Sequence, residues 1–331
     1  MPELRRDPVV GRWVIIDSEH TKGPADFPKD DNTPKGQAIC PFCPGREYQT
    51  PHEVDSVRPS GSFANSPGWL VRTVPNKFPV LVTEGEFKKE GAGIYDQMSG
   101  IGAHEVVIEG PDHEKNLDGL TPDEMRAVIG QYVSRFRQLS RDSRFKYIAI
   151  FKNFGPSAGA TIEHPHSQII ALPMVPKTVL EELKGTEYYY QFHGRCVFCD
   201  MISQEYRDKE RIVAENTSFL AFCPYAPRYC FETWIIPKGH SADFANADDT
   251  TQHHLAQVLQ VVLQKVKKAL ANPSYNFYVH TAPLGYANPA WYHWHIEVIP
   301  KLTRSVGFEW GTGLHIVPTF PQDAACFLRE A

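Results

Sequence analysis

The segment Glu163-His164-Pro165-His166-Ser167-Gln168 sets two imidazoles and an amide at alternate positions, directly before the apolar run Ile169-Ile170-Ala171-Leu172. In an extended backbone alternate side chains share a face, so His164, His166 and Gln168 are expected to point the same way. Neutral imidazole serves as a metal ligand, base or nucleophile, and an amide hydrogen-bonds a phosphoryl oxygen without adding charge. The combination suits chemistry at phosphorus.

The same residue types recur later in the chain. Cys40-Pro41-Phe42-Cys43, then His113, then His164-x-His166 is echoed by Cys196-Val197-Phe198-Cys199, then His240, then His293-x-His295. The Cys-x-x-Cys pairs lie 156 residues apart, the single histidines 127 and the His-x-His pairs 129, so the first copy carries extra residues early and then stays nearly in register. The stretch His104 to His113 parallels Phe231 to His240, each a strand-like run ending in a turn and a histidine.

Zinc favours four ligands drawn from thiolate and imidazole, and a Cys-x-x-Cys turn offers two of them. Cys40, Cys43, His113 and His164 would complete one tetrahedron, and Cys196, Cys199, His240 and His293 a second. One Cys-x-x-Cys alone also fits a dithiol redox motif, but a redox dithiol has no need of two distant histidines recurring in the same order. A zinc finger would bring its two pairs within roughly 15–20 residues, which the separation here does not match. Cys223, Cys230 and Cys326 are read as packing thiols.

If His164 binds zinc, His166 is held beside a rigid site with a free ring nitrogen, as a nucleophile requires. Attack on the α-phosphorus of a nucleoside diphosphate compound would give a phosphoramidate and divide transfer into two in-line steps. The competing reading makes both histidines ligands or core groups. Gln168 can reach phosphoryl oxygens, whereas its counterpart Glu297 would repel them, so only the first copy is expected to be catalytic.

Several elements must hold these residues in place. A helix begins at Thr121-Pro122-Asp123-Glu124, with Thr121 as N-cap and Glu124 completing a capping box, and Met125, Val128, Ile129, Tyr132, Val133 and Phe136 follow helical spacing. A second helix is expected from about Thr250 to Ala271, with Leu255, Val258, Leu259, Val262 and Val266 on one face. Strands are expected at Tyr147–Phe151 and Ser167–Leu172, and again at Phe277–His280 and His295–Ile299. Strand, helix, strands is an α+β unit built twice. Residues 1–173 form the catalytic half, 174–195 a connector rich in Glu and Tyr, and 196–331 the second half.

The composition agrees with an enzyme of this size. A chain of 331 residues with 42% hydrophobic content can bury a large core in two domains or one domain duplicated. A formal charge of -5 gives no general attraction to nucleic acid or anionic membrane, so neither is an expected partner. The N-terminus has no apolar signal core and no run reaches the roughly 18 apolar residues of a span, which points to the cytoplasm.

At these residues the chain resembles the galactose-1-phosphate uridylyltransferase family of the histidine-triad superfamily, which includes ADP-glucose phosphorylase-like members. The likeness runs nearly the whole length: Arg5 to Val14, Cys40-Pro41-Phe42-Cys43, Val74-Pro75-Asn76-Lys77-Phe78-Pro79, Asn153-Phe154-Gly155, His164 to Gln168, and Gly307-Phe308-Glu309. The resemblance implies two fused histidine-triad-like halves, each an antiparallel sheet with helices, in a homodimer. It implies that His166 carries the nucleotidyl group, that Gln168 steadies it, that Asn76, Phe78, Asn153 and Thr161 surround the nucleotide, and that Glu309 reaches the hexose. Individually, Phe78 could be core, Asn76 and Asn153 turn formers, and Glu309 a solvated charge. The third histidine of the superfamily's hydrolases is replaced by Gln168, which favours transfer over hydrolysis.

Two departures stand out. Where many members carry a basic pair, this chain has His20 and Gly23, with Lys22 between them. The second metal set looks like the Cys-x-x-Cys zinc version of an ADP-glucose phosphorylase relative, with the carboxylate-and-histidine iron site of some bacterial members as the alternative. The expected reaction is uridylyl transfer between UDP-glucose and galactose 1-phosphate through a nucleotidyl-histidine. The alternatives are adenylyl transfer from ADP-glucose to phosphate, and a non-enzymatic zinc-stabilised interaction module.

Overall fold

The computed structural model describes residues 1–33 and 39–331. Strands β1 (Glu3–Arg6) and β2 (Trp13–Ile16) pair at the N-terminus, followed by β3 (Asp55–Val57), β4 (Val71–Pro75) and an exposed hairpin of β5 (Lys89–Ala92) and β6 (Tyr95–Met98). Next come β7 (Ala103–Ile108), helix α1 (Pro122–Leu139), β8 (Tyr147–Phe154) and β9 (His166–Leu172). Helices α2 (Lys177–His193) and α3 (Val197–Asp208) lead to β10 (Ile212–Glu215), β11 (Phe219–Phe222) and β12 (Thr233–Pro237). Helix α4 (Asp249–Ala269), β13 (Tyr275–His280), β14 (His295–Pro300), α5 (Gly307–Thr312), β15 (His315–Val317) and α6 (Pro321–Glu330) complete the chain.

Ten strands form one sheet in the order β10-β11-β12-β14-β13-β8-β9-β7-β4-β3, all pairs antiparallel. Outward from the β8–β13 seam, one side runs β8-β9-β7-β4-β3 and the other β13-β14-β12-β11-β10. The repeat read from the cysteines and histidines therefore extends to the strand order. The two antiparallel halves are continuous: Tyr275 faces Phe154 and Val279 faces Ile150, so each half covers an edge the other would leave open. A separate three-stranded sheet joins the chain ends, with β15 parallel to β2 and β2 antiparallel to β1.

Helix α1 starts where its sequence directs. The Thr121 hydroxyl accepts from the Glu124 N–H at 3.3 Å and the Glu124 carboxylate accepts from the Thr121 N–H at 2.7 Å. Helix α4 starts one residue before the expected Thr250, because Asp248 caps the Thr251 N–H at 2.8 Å. It ends before Ala271 because Ala271 and Asn272 both adopt left-handed backbone angles.

Both helices press on one sheet face, where Met125, Val128, Ile129, Phe136, Leu255, Leu259 and Val262 meet Val107, Ile150, Ile169, Phe277 and Ile296. Each such buried side chain contributes about 1.5–3 kcal/mol. The opposite face is treated unequally. Over the second half it is covered by α3, whose Phe198 and Ile202 pack on Leu220, Phe222 and Trp234, and beside the seam by Val179 and Leu183 of α2 against Tyr147 and Ala149. Residues 174–195, expected as a connector, thus supply a covering helix. Within β9, Ser167, Ile169 and Ala171 are wholly buried towards α1, leaving His166 and Gln168 on the opposite face.

Candidate active site and metal centres

The ligand atoms of Cys40, Cys43, His113 and His164 all lie within 4.8 Å of one another, although the residues span 124 positions of the chain. The Cys43 Sγ is 3.4 Å from His113 Nδ1 and 3.6 Å from His164 Nδ1. Zinc–sulfur and zinc–nitrogen bonds of about 2.3 and 2.0–2.1 Å imply tetrahedral edges of about 3.5 Å, so the group fits that ion. His164 donates from Nε2 to the Gly110 carbonyl at 2.8 Å, which turns Nδ1 towards the sulfur. Its burial lowers the imidazole pKa to about 4, so the ring is neutral and able to ligate.

The second set repeats this arrangement. Cys196, Cys199, His240 and His293 also bring their ligand atoms within 4.8 Å. Cys199 Sγ lies 3.5 Å from His240 Nδ1 and 3.7 Å from His293 Nδ1, and His293 donates from Nε2 to the Pro237 carbonyl at 2.9 Å. Cys196 is the N-cap of α3, so the sulfurs are presented by the first turn of a helix.

His166 opens β9, paired with Ile108 of β7, while His164 sits in the bend just before it. Its Nδ1–H donates to the His164 carbonyl at 2.8 Å, leaving the lone pair on Nε2. Burial holds its pKa below the ordinary histidine value, which keeps that lone pair available at neutral pH. Phe42, between the two cysteines of the first pair, packs edge-on against both imidazoles at 5.4 and 6.2 Å.

Beneath His166, on the helix side of the sheet, Lys152 and Glu109 form an ion pair at 2.5 Å with side-chain exposures of 1% and 0%. Lys152 also donates to the His166 carbonyl at 3.3 Å, and Glu109 accepts from Ser167 and Tyr132. A buried pair of this kind costs desolvation that only close geometry and extra hydrogen bonds offset. Here it ties the backbone of β9 to β8 and to α1. Sequence reasoning missed both residues, and Lys152 lies just beyond the expected strand Tyr147–Phe151, which in the structure continues to Phe154.

A cavity of about 230 Å³ opens at this end of the sheet, lined by Asn153, Thr161, His164 and His166 together with Asn116 and Lys267. Of the residues expected around a nucleotide, the structure brings Asn153 and Thr161 to this cavity. Asn76, Phe78 and Gln168 gather instead on the neighbouring strands: the Asn76 amide nitrogen and Gln168 Oε1 both contact His104 Nε2, and Phe78 is 81% exposed. Phe78 is therefore not a core residue. Glu309 does not line the cavity, and its carboxylate accepts from the backbone N–H groups of Val306 and Ile316, each at 3.0 Å. His20 pairs with Asp17 at 3.1 Å and is 80% exposed.

The loop from Asn153 to Thr161 depends on one close approach. Gly155 has φ of +80°, and a Cβ there would lie 2.2 Å from Ser274 Oγ and 2.5 Å from Asn32 Oδ1. Gly155→Ala is expected to cost about 1–3 kcal/mol for a positive-φ, extended-ψ backbone that is essentially confined to glycine, with further loss as the loop is pushed from Ser274. Thermal denaturation should register a melting temperature lower by several degrees, and an unchanged value would remove the constraint.

In the second half the position equivalent to His166 is sealed. His295 is 1% exposed and stacks on Trp234 and His280 at 4.9 and 4.5 Å. Glu182 of α2 pairs with His280 at 2.9 Å, and its other oxygen lies 3.7 Å from His295 Nε2. Burial opposes a charge on His280, but Glu297 and Glu182 outweigh it and raise its pKa to about 10. Glu297 is further engaged by Arg228. Ligand atoms of Glu182, His280 and His295 again lie within 4.8 Å, so the second half contains both donor groups considered for its metal, dividing His293 and His295 between them. Neither Glu182 nor His280 was singled out from the sequence.

The chain is similar to known proteins over nearly its whole length. The family described as galactose-1-phosphate uridyl transferase matches through its N-terminal domain at residues 1–176 and its C-terminal domain at residues 182–324. ADP-glucose phosphorylase of Arabidopsis thaliana is 38% identical over 337 residues, covering 99% of this chain and 93% of that protein. Galactose-1-phosphate uridylyltransferase of Thermotoga maritima is 31% identical over 339 residues, covering 100% of this chain and 98% of that protein. The crystal structure of the Arabidopsis thaliana ADP-glucose phosphorylase with bound ADP-glucose superposes with a TM-score of 0.84 at 36% identity, over 100% of this chain and 99% of that one. A uridylyltransferase structure superposes with a TM-score of 0.77 at 26% identity, over 100% and 98% of the two chains.

Proposed function

The chain belongs to the galactose-1-phosphate uridylyltransferase family, and on that premise we propose that it is a hexose-1-phosphate nucleotidylyltransferase that works by double displacement through His166. The observation that carries this is the Nδ1–H of His166 held by the His164 carbonyl, which leaves the Nε2 lone pair as the nucleophile on a residue that lines the cavity. Nε2 attacks the α-phosphorus of a nucleotide sugar. The phosphorus–nitrogen bond forms as the bond to the sugar-phosphate oxygen breaks, and the sugar 1-phosphate leaves as an anion of low basicity that needs no general acid. An acceptor phosphate oxygen then attacks the same phosphorus in line and releases Nε2.

Asn153 and Thr161 are read as nucleotide contacts from the loop, and Asn76, Phe78 and Gln168 as contacts from the strand face. Zinc is the reading for Cys40, Cys43, His113 and His164, supported by donor type and spacing, and it would supply a rigid clamp immediately before the nucleophile. The same ion is proposed for Cys196, Cys199, His240 and His293. Residues 1–173 are read as the catalytic half and residues 196–331 as its scaffold. The protein is proposed to act as a homodimer, with Glu309 offered to the hexose site of a second copy. Exposure of Phe308 and Trp310, 44% and 81%, and the position of Glu309 outside the cavity lining support this. No helix among the described residues is long and apolar enough to cross a membrane; the cytoplasm is the proposed compartment.

Uridylyl transfer between UDP-glucose and galactose 1-phosphate is the first reading for the substrates, supported by uridylyltransferases aligned over nearly the whole chain. The higher identity and TM-score of the ADP-glucose phosphorylase favour a second, adenylyl transfer from ADP-glucose to phosphate. Intact-mass measurement after incubation with UDP-glucose or ADP-glucose separates them. A uridylyl adduct supports the first, an adenylyl adduct the second, and the absence of either overturns the enzymatic reading in favour of a zinc-stabilised module.

A further inference from the structure

We propose that His104 is a positioning residue for nucleotidyl transfer, fixing the amide of Gln168 so that its NH2 group, with that of Asn76, faces the phosphoryl group at His166. The inference rests on His166 being the nucleophile.

His104 lies on β7 opposite Ile170 of β9, and Gln168 lies opposite Val106, so the two side chains are diagonal neighbours on one sheet face. The imidazole is 8% exposed and its tautomer is set by the backbone. The Val80 N–H donates to Nδ1 at 3.3 Å, so the neutral ring carries its proton on Nε2. That proton is donated to Gln168 Oε1 at 2.8 Å. With its carbonyl oxygen held, the amide turns its NH2 away from His104.

Asn76 follows the same logic. Its Oδ1 accepts from the Phe78 N–H at 2.9 Å, and its Nδ2 sits 3.1 Å from His104 Nε2. Since that ring nitrogen already bears a proton, it accepts nothing from Asn76, whose amide keeps both hydrogens for another acceptor. Two uncharged double donors are thereby left on the strand face that carries His166. An unconstrained glutamine presents either end of its amide, and the oxygen end would repel a phosphoryl oxygen. Donors fixed before the reaction stabilise the charge that develops on the non-bridging oxygens without reorganising.

The duplicated half supports the pairing. Trp234 pairs with Glu297 as Val106 pairs with Gln168, so in the strand register the position equivalent to His104 is Glu232 and the position equivalent to Gln168 is Glu297. The imidazole and the amide it orients are absent together from the half whose histidine is sealed. None of His104, Gln168 and Asn76 belongs to either cysteine–histidine group.

The test is the single-turnover rate of adduct formation, followed by intact mass with UDP-glucose and with ADP-glucose, for the wild type, His104→Gln, His104→Phe, Gln168→Ala and the His104→Phe/Gln168→Ala double variant. His104→Phe is expected to slow adduct formation roughly 10- to 100-fold with little change in half-saturating substrate, while zinc content and melting temperature stay near wild type. His104→Gln, which can accept from Val80 and donate to Gln168, restores most of the rate. In the Gln168→Ala background His104→Phe has no further effect, because the group it orients is gone.

A wild-type rate in His104→Phe, or an equal slowing with and without Gln168, overturns the proposal. If phenylalanine prevents folding, His104→Asn repeats the comparison, since it is polar but too short to reach Gln168. A wild type that forms no adduct with either nucleotide sugar overturns the reading of His166 itself and this inference with it.

Discussion

Alanine at position 166 is expected to abolish the covalent nucleotidyl adduct and to slow turnover by roughly four to six orders of magnitude, the loss seen when a nucleophile is deleted from an otherwise intact site. Alanine at position 295 is expected to leave the adduct intact. The two histidines occupy equivalent places at the starts of β9 and β14, and each donates from Nδ1 to the carbonyl two residues before it, at 2.8 and 3.2 Å. Their chemistry is therefore the same, and accessibility separates them. His166 borders the cavity, whereas His295 is enclosed by Trp234, Phe198, His280 and Glu182. Removing the His295 ring leaves a cavity in a packed region and should cost a few kcal/mol of stability, detectable as a lower melting temperature. An adduct on His166→Ala, or loss of the adduct in a folded His295→Ala protein, would reverse the assignment.

Serine at position 43 is expected to release the metal of the first site and to take the adduct with it. A metal that binds the folded chain alone contributes its binding free energy to folding, on the order of 10 kcal/mol for structural zinc in small peptides. The effect here is concentrated on the nucleophile. His164 is both a proposed ligand and the residue whose carbonyl holds the His166 Nδ1–H, so releasing it frees the bend that sets the tautomer. Cys199→Ser provides the contrast, because His293 leads only to the sealed His295. Metal analysis should find one ion fewer per chain in each variant, with adduct formation lost in Cys43→Ser and retained in Cys199→Ser. A Cys43→Ser protein that keeps both its metal content and its adduct would rule out the first site as a metal centre.

Several features were legible because they are local. The capping box at Thr121 and Glu124 fixes the start of α1, and apolar residues at helical spacing fix its buried face. The recurrence of two cysteines, a histidine and a His-x-His pair identified both donor groups before any contact was known. Helix α2 was passed over for a physical reason. Its buried positions Val179, Glu182, Leu183 and Thr186 keep helical spacing, but two of the four are polar, so no apolar stripe marks them. Lys152 and Glu109 escaped in the same way, since each is buried only because the other is there.

The sequence by itself determined the candidate ligand sets, the order of the two halves and the candidate nucleophile, because residue type and spacing point to metal and imidazole chemistry. The tertiary structure decided which of the two equivalent histidines borders the cavity. Glu182 meets His280, 98 positions later in the chain, and closes the second site, while His166 borders the cavity. It also decided the direction of the Gln168 amide, through His104 and the Val80 N–H, and carried Glu309 away from the cavity. These are contacts between residues distant in sequence. They depend on how the strands pair and which helix covers which face, and neither leaves a local pattern of residue types.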